Sequence, residues 1–205
     1  MTGPVRVVLA TRNPGKVAEL RRILAGAGLD VDLVGLEAFP AVPDVVETGA
    51  TFAQNAELKA RAVADATGLP AVADDSGLAV DALNGMPGIF SARWAGRHGD
   101  DRANLALVLA QVADVPDERL GAAFVCAAAA VVPGRAPQVV SGEVRGRLVR
   151  EPRGRGGFGY DPIFVPDGES RTTAELSPSD KDAISHRGRA FRALVPRLCA
   201  LLAAG

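Results

Sequence analysis

Hydrophobic and polar positions along the chain fall into two rhythms, and the rhythm assigns most of the elements. Val5 to Ala10 is apolar apart from Arg6 and β-branched at its start, the pattern of a buried strand. Asn13 and Pro14 then supply a helix N-cap and a first-turn proline. Val17, Leu20, Ile23 and Leu24 form a stripe at helical spacing, and Gly26 or Gly28 ends it. The chain therefore opens strand, tight loop, helix. Leu29 to Val46 reads as a strand and a proline-containing loop. Thr51 and Gln54 have capping-box spacing ahead of a second helix, whose packing positions Phe52, Ala56, Leu58, Ala60 and Val63 are mostly small. Gly68 and Pro70 stop it. Ala71 to Ala73 predicts a short strand, Asp74-Asp75-Ser76-Gly77 a turn, and Leu78 to Leu83 a further extended segment.

Asp100 or Asp101 caps a third helix, with Leu105, Val108, Leu109 and Val112 along one face. Ala122 to Val132 and Gln138 to Val144 are strands joined by Pro133-Gly134-Arg135-Ala136-Pro137, a hairpin signal, and Arg145 to Arg150 extends or follows the second. Ser177-Pro178-Ser179-Asp180 caps a helical region with Phe191, Leu194, Val195, Leu198, Leu201 and Leu202 as its stripe. Pro196 predicts a kink or a fresh helix start there. With no internal repeat or long linker, the order predicts an α/β fold with a mixed sheet, residues 1–205 forming one domain.

Composition narrows the function. A hydrophobic content of 48% and a charged content of 23% fit a globular protein rather than a disordered one. The net charge of −1 gives no positive field to gather nucleic acid or anionic lipid, so an anionic ligand needs a local cluster of donors. Cys126 and Cys199 lie in apolar runs without CxxC spacing and read as buried, reduced thiols. Met1 to Ala10 lacks the pattern of a secretory leader, and Ala122 to Val132 is too short to span a bilayer. The expectation is a cytoplasmic protein without a membrane or nucleic-acid partner.

Four segments carry candidate chemistry. Thr11-Arg12-Asn13-Pro14-Gly15-Lys16 sits where a strand meets a helix N-terminus, whose unpaired N–H groups favour an anion such as phosphate. It is not a Walker A loop, since Ala10 and Val17 stand where Gly and Ser or Thr belong. A plain turn with a solvated lysine fits the same residues. Asp74 and Asp75 are adjacent carboxylates at a strand end, a pairing that calls for a cation or a donor array. Magnesium fits, and so does an Asx-type turn in water. Glu47 gains interest as a third carboxylate, while Asn55 and Lys59, four apart on one helix face, read as a solvated polar face. In the glycine-rich run Gly156-Gly157-Phe158-Gly159-Tyr160-Asp161-Pro162, either aromatic could stack on a planar base or fill a core gap. Lys181, His186 and Arg187 supply donors to a carbonyl or phosphate, or form a basic surface helix; His98 reads as a loop histidine.

Taken in order, Thr11-x-Asn13-x-x-Lys16, Glu47-Thr48-Gly49, Asp74-Asp75-Ser76-Gly77, Gly157-Phe158-Gly159-Tyr160-Asp161-Pro162 and Ser185-His186-Arg187-Gly188 resemble the inosine triphosphate pyrophosphatase family, in its bacterial dITP/XTP pyrophosphatase branch. The resemblance runs from Val7 almost to the C-terminus. It implies a two-lobed α/β fold, a mixed sheet flanked by helices with a substrate cleft between the lobes, and a homodimer. It implies Mg²⁺-dependent hydrolysis of ITP, dITP or XTP to the monophosphate and pyrophosphate. By motif, Thr11, Arg12, Asn13, Pro14, Gly15 and Lys16 hold the triphosphate, with Arg12 and Pro14 in variable slots and Lys59 a further phosphate contact. Glu47 and Asp75 serve the metal, and Asp75 takes the water's proton. Ser76, Phe158, Gly159, Tyr160, Asp161, Lys181, His186 and Arg187 bind mainly base and sugar. Two rival readings are a pyrophosphatase for modified pyrimidine nucleotides and a nucleotide-sensing module without turnover. The carboxylate pair speaks against the second, because carboxylates repel a triphosphate unless a metal is recruited.

Overall fold

In a computed structural model, which describes residues 4–26 and 28–203, the first strand β1 (Val5–Leu9) lies between two parallel partners, β2 (Val31–Val34) and β3 (Ala71–Val80). With β4 (Gly121–Val131), β5 (Gln138–Leu148) and β6 (Phe164–Pro166), they form a six-stranded sheet in the order β2-β1-β3-β4-β5-β6. β5 and β6 run antiparallel, so the sheet is mixed, as expected. The helices are α1 (Pro14–Gly26), α2 (Phe52–Thr67), α3 (Asp101–Gln111), α4 (Pro178–Ile184) and α5 (His186–Ala203).

The caps act as the sequence predicts. Thr51 Oγ1 accepts from the Gln54 amide, satisfying one orphan donor at the start of α2, while Gln54 Oε1 reaches back to the Ala50 amide just before the cap. Asp100 caps α3 through the Ala103 amide, and Ser177 caps α4 through Asp180.

Two expectations fail. There is no turn at Asp74 to Gly77; β3 runs through all four residues. A turn would have kept two carboxylates in water, but here both are buried and paired, which removes that pressure. The fresh helix start predicted at Pro196 is absent, since α5 is continuous across it. The apolar face of Phe191, Leu194, Val195 and Leu198 is buried, and that packing offsets a cost of about 3 kcal/mol for an interior proline.

The chain forms two compact units. The first comprises Met1–Asp75, Cys126–Gly142 and Arg187–Gly205, and the second Ser76–Val125 and Glu143–His186. In the first, alternate residues of β1, β3 and β4 enter two different cores. Val7, Leu9, Val72, Cys126, Ala128 and Ala130 pack with α1 and α5. Val8, Ala71, Ala73, Ala127, Ala129 and Val131 pack with α2. Burial on both faces explains why these strands read as unbroken apolar runs. Cys126 is buried as expected, but Cys199 is only partly so; both are free thiols. The second unit has its own core around Leu78, Val80, Val108, Phe124, Tyr160, Ile163 and Phe164.

Candidate active site

The sequence-predicted residues divide between the two units. In the first, everything turns on Asp74 and Asp75. Successive residues of a strand point to opposite faces, so the two neighbours enter different surroundings. Asp74 joins the α1 and α5 side. Its Oδ2 lies 3.2 Å from Lys16 Nζ and 3.1 Å from Arg187 Nε, and Arg187 Nη1 also donates to Glu19 Oε2 at 3.0 Å. Burial alone would raise the Asp74 carboxyl, but Lys16 and then Arg187 hold it far below the usual carboxylate range.

Asp75 joins the α2 side. Lys59 Nζ is 3.3 Å from its Oδ1, and Asn55 Nδ2 donates to its Oδ2 at 3.0 Å. Lys59 also reaches Glu47 Oε1 at 2.6 Å, so one ammonium bridges two carboxylates. Here burial wins: desolvation raises the Asp75 carboxyl above its ordinary value, Lys59 opposes it only in part, and Glu47 adds to the rise. Lys59 is shifted up as well; burial pulls it down, and the charges of Asp75, Asp74 and Glu47 outweigh that. Neighbouring carboxyls thus differ in opposite directions.

The loop before α1 is organised from within. Asn13 Oδ1 accepts from the amides of Gly15 and Lys16 at 2.9 and 3.4 Å, and Thr11 Oγ1 accepts from the Asn13 amide. The Arg12 guanidinium donates to Asp44 and to the carbonyls of Leu36 and Val42. It staples the 36–44 loop.

The second unit holds the glycine-rich run. Asp161, 3% exposed, accepts from the Phe158 amide at 2.8 Å, from Lys181 Nζ at 2.5 Å and from Thr173 Oγ1 at 2.8 Å. It organises the loop, and its oxygens are engaged by the protein itself. The two aromatics separate cleanly. Tyr160 is buried with its hydroxyl donating to the Ser91 carbonyl, so it fills the core, whereas Phe158 is 57% exposed. Lys181 Nζ stands 5.0 Å from the Phe158 ring centre. The Gly159 amide donates to Asp101 at the start of α3. Ser76 lies in β3, half-buried.

The basic trio divides at the boundary of the two units. His186 stacks on Phe124, with ring centres 5.0 Å apart and planes 15° apart, and belongs with Lys181 in the second unit. Arg187, expected beside them, falls in the first unit and is 4% exposed between Asp74 and Glu19. Two acidic partners, Asp74 and Glu19, share its guanidinium.

Three residues of these clusters are not marked by the sequence. Glu19 and Phe124 carry no signal, since each sits in an ordinary periodic stretch. Asn55, expected on a solvated face, is fully buried. Its one clue is the four-residue spacing to Lys59.

Among the described residues no three His, Cys, Asp or Glu side chains form a ready-made metal cage. Magnesium does not need one: it is commonly held by one or two carboxylates with water and substrate phosphate. Glu47 and Asp75, already sharing one cation in Lys59, are a donor set of that kind.

Gly157 is required twice over. Its φ of +73° is left-handed, and a Cβ would collide with the Asp161 carboxylate. Gly157→Ala is therefore expected to unseat the Asp161 hub and free Phe158. The loss should be about 2 kcal/mol or more in thermal unfolding, since strain and a displaced buried carboxylate add.

The two clusters define a class: an α/β protein with a largely buried carboxylate–lysine centre in one unit and an exposed aromatic beside a lysine in the other. Residues 7–197 match the Ham1 family. A dITP/XTP pyrophosphatase of Streptomyces coelicolor is 66% identical over 197 residues, covering 96% of this chain and 98% of that protein. One from Nocardia farcinica is 64% identical, with 96% of each chain covered. A crystal structure of a nucleoside-triphosphatase / dITP/XTP pyrophosphatase from Mycobacterium abscessus aligns with TM-score 0.78 and 58% identity, over 94% of this chain and 100% of that one. A HAM1 protein from Coxiella burnetii aligns with TM-score 0.87 and 43% identity, over 96% and 99%. The chain belongs to the Ham1 family.

Proposed function

We propose that this protein hydrolyses non-standard purine nucleoside triphosphates, ITP, dITP and XTP, to the monophosphate and pyrophosphate, with Mg²⁺ as cofactor. The observation that carries the reading is the Asp75–Lys59–Glu47 centre, a buried and a half-buried carboxylate already holding one cation. The names of its close relatives support the substrate class.

Glu47 and Asp75 would hold Mg²⁺, which neutralises phosphate charge when bound. Lys16 and Lys59 add positive charge for the phosphate chain, beside the start of α1. In the reaction, the oxygen of water bonds to the α-phosphorus. The bond from that phosphorus to its bridging oxygen breaks, and pyrophosphate leaves with the electron pair. Asp75 accepts the water's proton, a role suited to a carboxyl whose burial strengthens its hold on protons. In the second unit, Phe158 offers a face for the purine, and Lys181 and His186 offer donors to its C6 oxygen. ATP carries a donor at that position, and a site built around an acceptor rejects it. We assign the protein to the cytoplasm, as a homodimer that sedimentation would detect. No described helix is long and apolar enough to cross a membrane.

Phosphorus NMR of a completed reaction with ITP, with and without Mg²⁺, tests the assignment. Inosine monophosphate and pyrophosphate are expected, only with metal, and ATP should turn over at least about 10³-fold less well by kcat/KM. Initial release of orthophosphate and diphosphate would refute it.

A further inference from the structure

Asn55 lies in the first turn of α2, and its side chain is fully buried between two partners of opposite polarity. Its Oδ1 accepts from the Gly49 amide at 2.8 Å, and its Nδ2 donates to Asp75 Oδ2 at 3.0 Å. The orientation of the amide is thereby fixed, because a flipped group would face oxygen with oxygen and N–H with N–H. The loop approaches this closely only because residue 49 is glycine; a Cβ there would lie 2.7 Å from Asn55 Oδ1. One amide therefore ties the Glu47-Thr48-Gly49 loop to Asp75.

We infer that Asn55 is a positioning residue for hydrolysis, setting the plane of the Asp75 carboxylate and the place of the loop that carries Glu47. The inference rests on the reading of Asp75 and Glu47 given above. Lys59, one turn further along α2, holds the other Asp75 oxygen and Glu47. An ammonium is a point charge on a flexible stem and does not define a plane. It is also drawn to any phosphate that arrives. A neutral amide is not, so Asn55 keeps its two bonds when Lys59 exchanges partners. Asp75 is thus gripped by residues four apart on one helix, one charged and shared with Glu47, the other neutral and tied to the Gly49 amide.

Asn55→Asp separates the two bonds. It retains an acceptor for the Gly49 amide and removes the donor to Asp75. Asn55→Ser, neutral and shorter, removes the reach to both without adding charge. Misplacement of a reacting group by about 1 Å can cost on the order of 10²-fold. Both variants are expected to lose about 10- to 100-fold in kcat for ITP, and in the neutral Ser variant KM and metal-free pyrophosphate binding should change by less than about 3-fold. Combining either variant with Asp75→Asn should add little to the loss from Asp75→Asn alone, because both act on one group. If Asp75→Asn abolishes turnover while both Asn55 variants keep a normal kcat, the positioning role is wrong. It is equally wrong if kcat, KM and pyrophosphate binding all fall together with the folded fraction in calorimetry. If Asp75→Asn itself turns over normally, the underlying reading of Asp75 fails, and this inference with it. Should the Asp variant not fold, the Ser variant decides alone.

Discussion

Asp75→Asn is expected to lower kcat by about 10²-fold or more, the size of a general-base contribution, while the fold stays intact. The replacement is nearly isosteric; it removes the charge and the proton acceptor and turns one N–H₂ group towards either Lys59 or Asn55. Stability should survive because the fold does not favour the ionised form. Burial raises the Asp75 carboxyl despite Lys59, so the protonated state is the better accommodated one. Stability therefore falls as pH rises from the ordinary carboxylate value through the raised one, and a neutral side chain at this position avoids that loss. Steady-state kinetics at saturating Mg²⁺, with calorimetry beside them, check both halves. A normal kcat would remove Asp75 from the chemistry.

The neighbouring substitution should do the reverse. Asp74→Asn is expected to destabilise the protein by about 3–5 kcal/mol, because it strands buried positive charge. Arg187 is 4% exposed and Lys16 half-buried, and Asp74 is their shared carboxylate. Glu19 remains for Arg187, but Lys16 has no other acidic partner at this spot among the pairs formed by described residues. For a chain of this length the melting point should drop by roughly 10 °C. The wild-type sign is also fixed. The Asp74 carboxyl is depressed in the folded state, so its contribution is complete above the ordinary carboxylate value and is lost as pH falls towards the folded one. The Asn variant should show a shallower acid-side loss of stability, measured in chelator. A change below about 1 kcal/mol would mean that Glu19 and water compensate fully. Two adjacent aspartates would then no longer divide into one for folding and one for chemistry.

That division was not legible in Asp74-Asp75-Ser76-Gly77. The four residues look like a turn, and turn chemistry is local, whereas Arg187, which helps keep Asp74 dry, lies 113 positions away. The helices were legible because their signals are local: the cap at Thr51, the stop at Gly68 and the stripe of α1 lie within a few turns of one another. β4 was legible for a different reason. Its alanine-rich run is what remains when both faces of a strand must fit under helices. In Phe158-Gly159-Tyr160 composition could not separate a platform from a core filler; only the buried hydroxyl contact to Ser91 does so. Asn55 failed for the commonest reason, that an amide on a helix is usually solvated, and nothing in its neighbours announces Gly49 or Asp75.

The first unit is stitched from three separate stretches, and its core is closed by Ala190, Phe191, Leu194 and Leu198 against Val7, Leu9, Leu20 and Val72. On a ribosome, β1, α1 and β3 emerge first and wait for α5. At roughly 5–20 residues per second, the delay between Val72 and Ala190 is on the order of ten seconds. Throughout that interval the α5-facing side of the nascent strands has only α1 for cover, and Asp74 has Lys16 but not yet Arg187. The carboxylate centre on the α2 side can form much earlier, since Glu47, Asn55, Lys59 and Asp75 are all synthesised within one short stretch. The newborn chain thus holds every residue of its chemical centre well before the helix that completes the surrounding core.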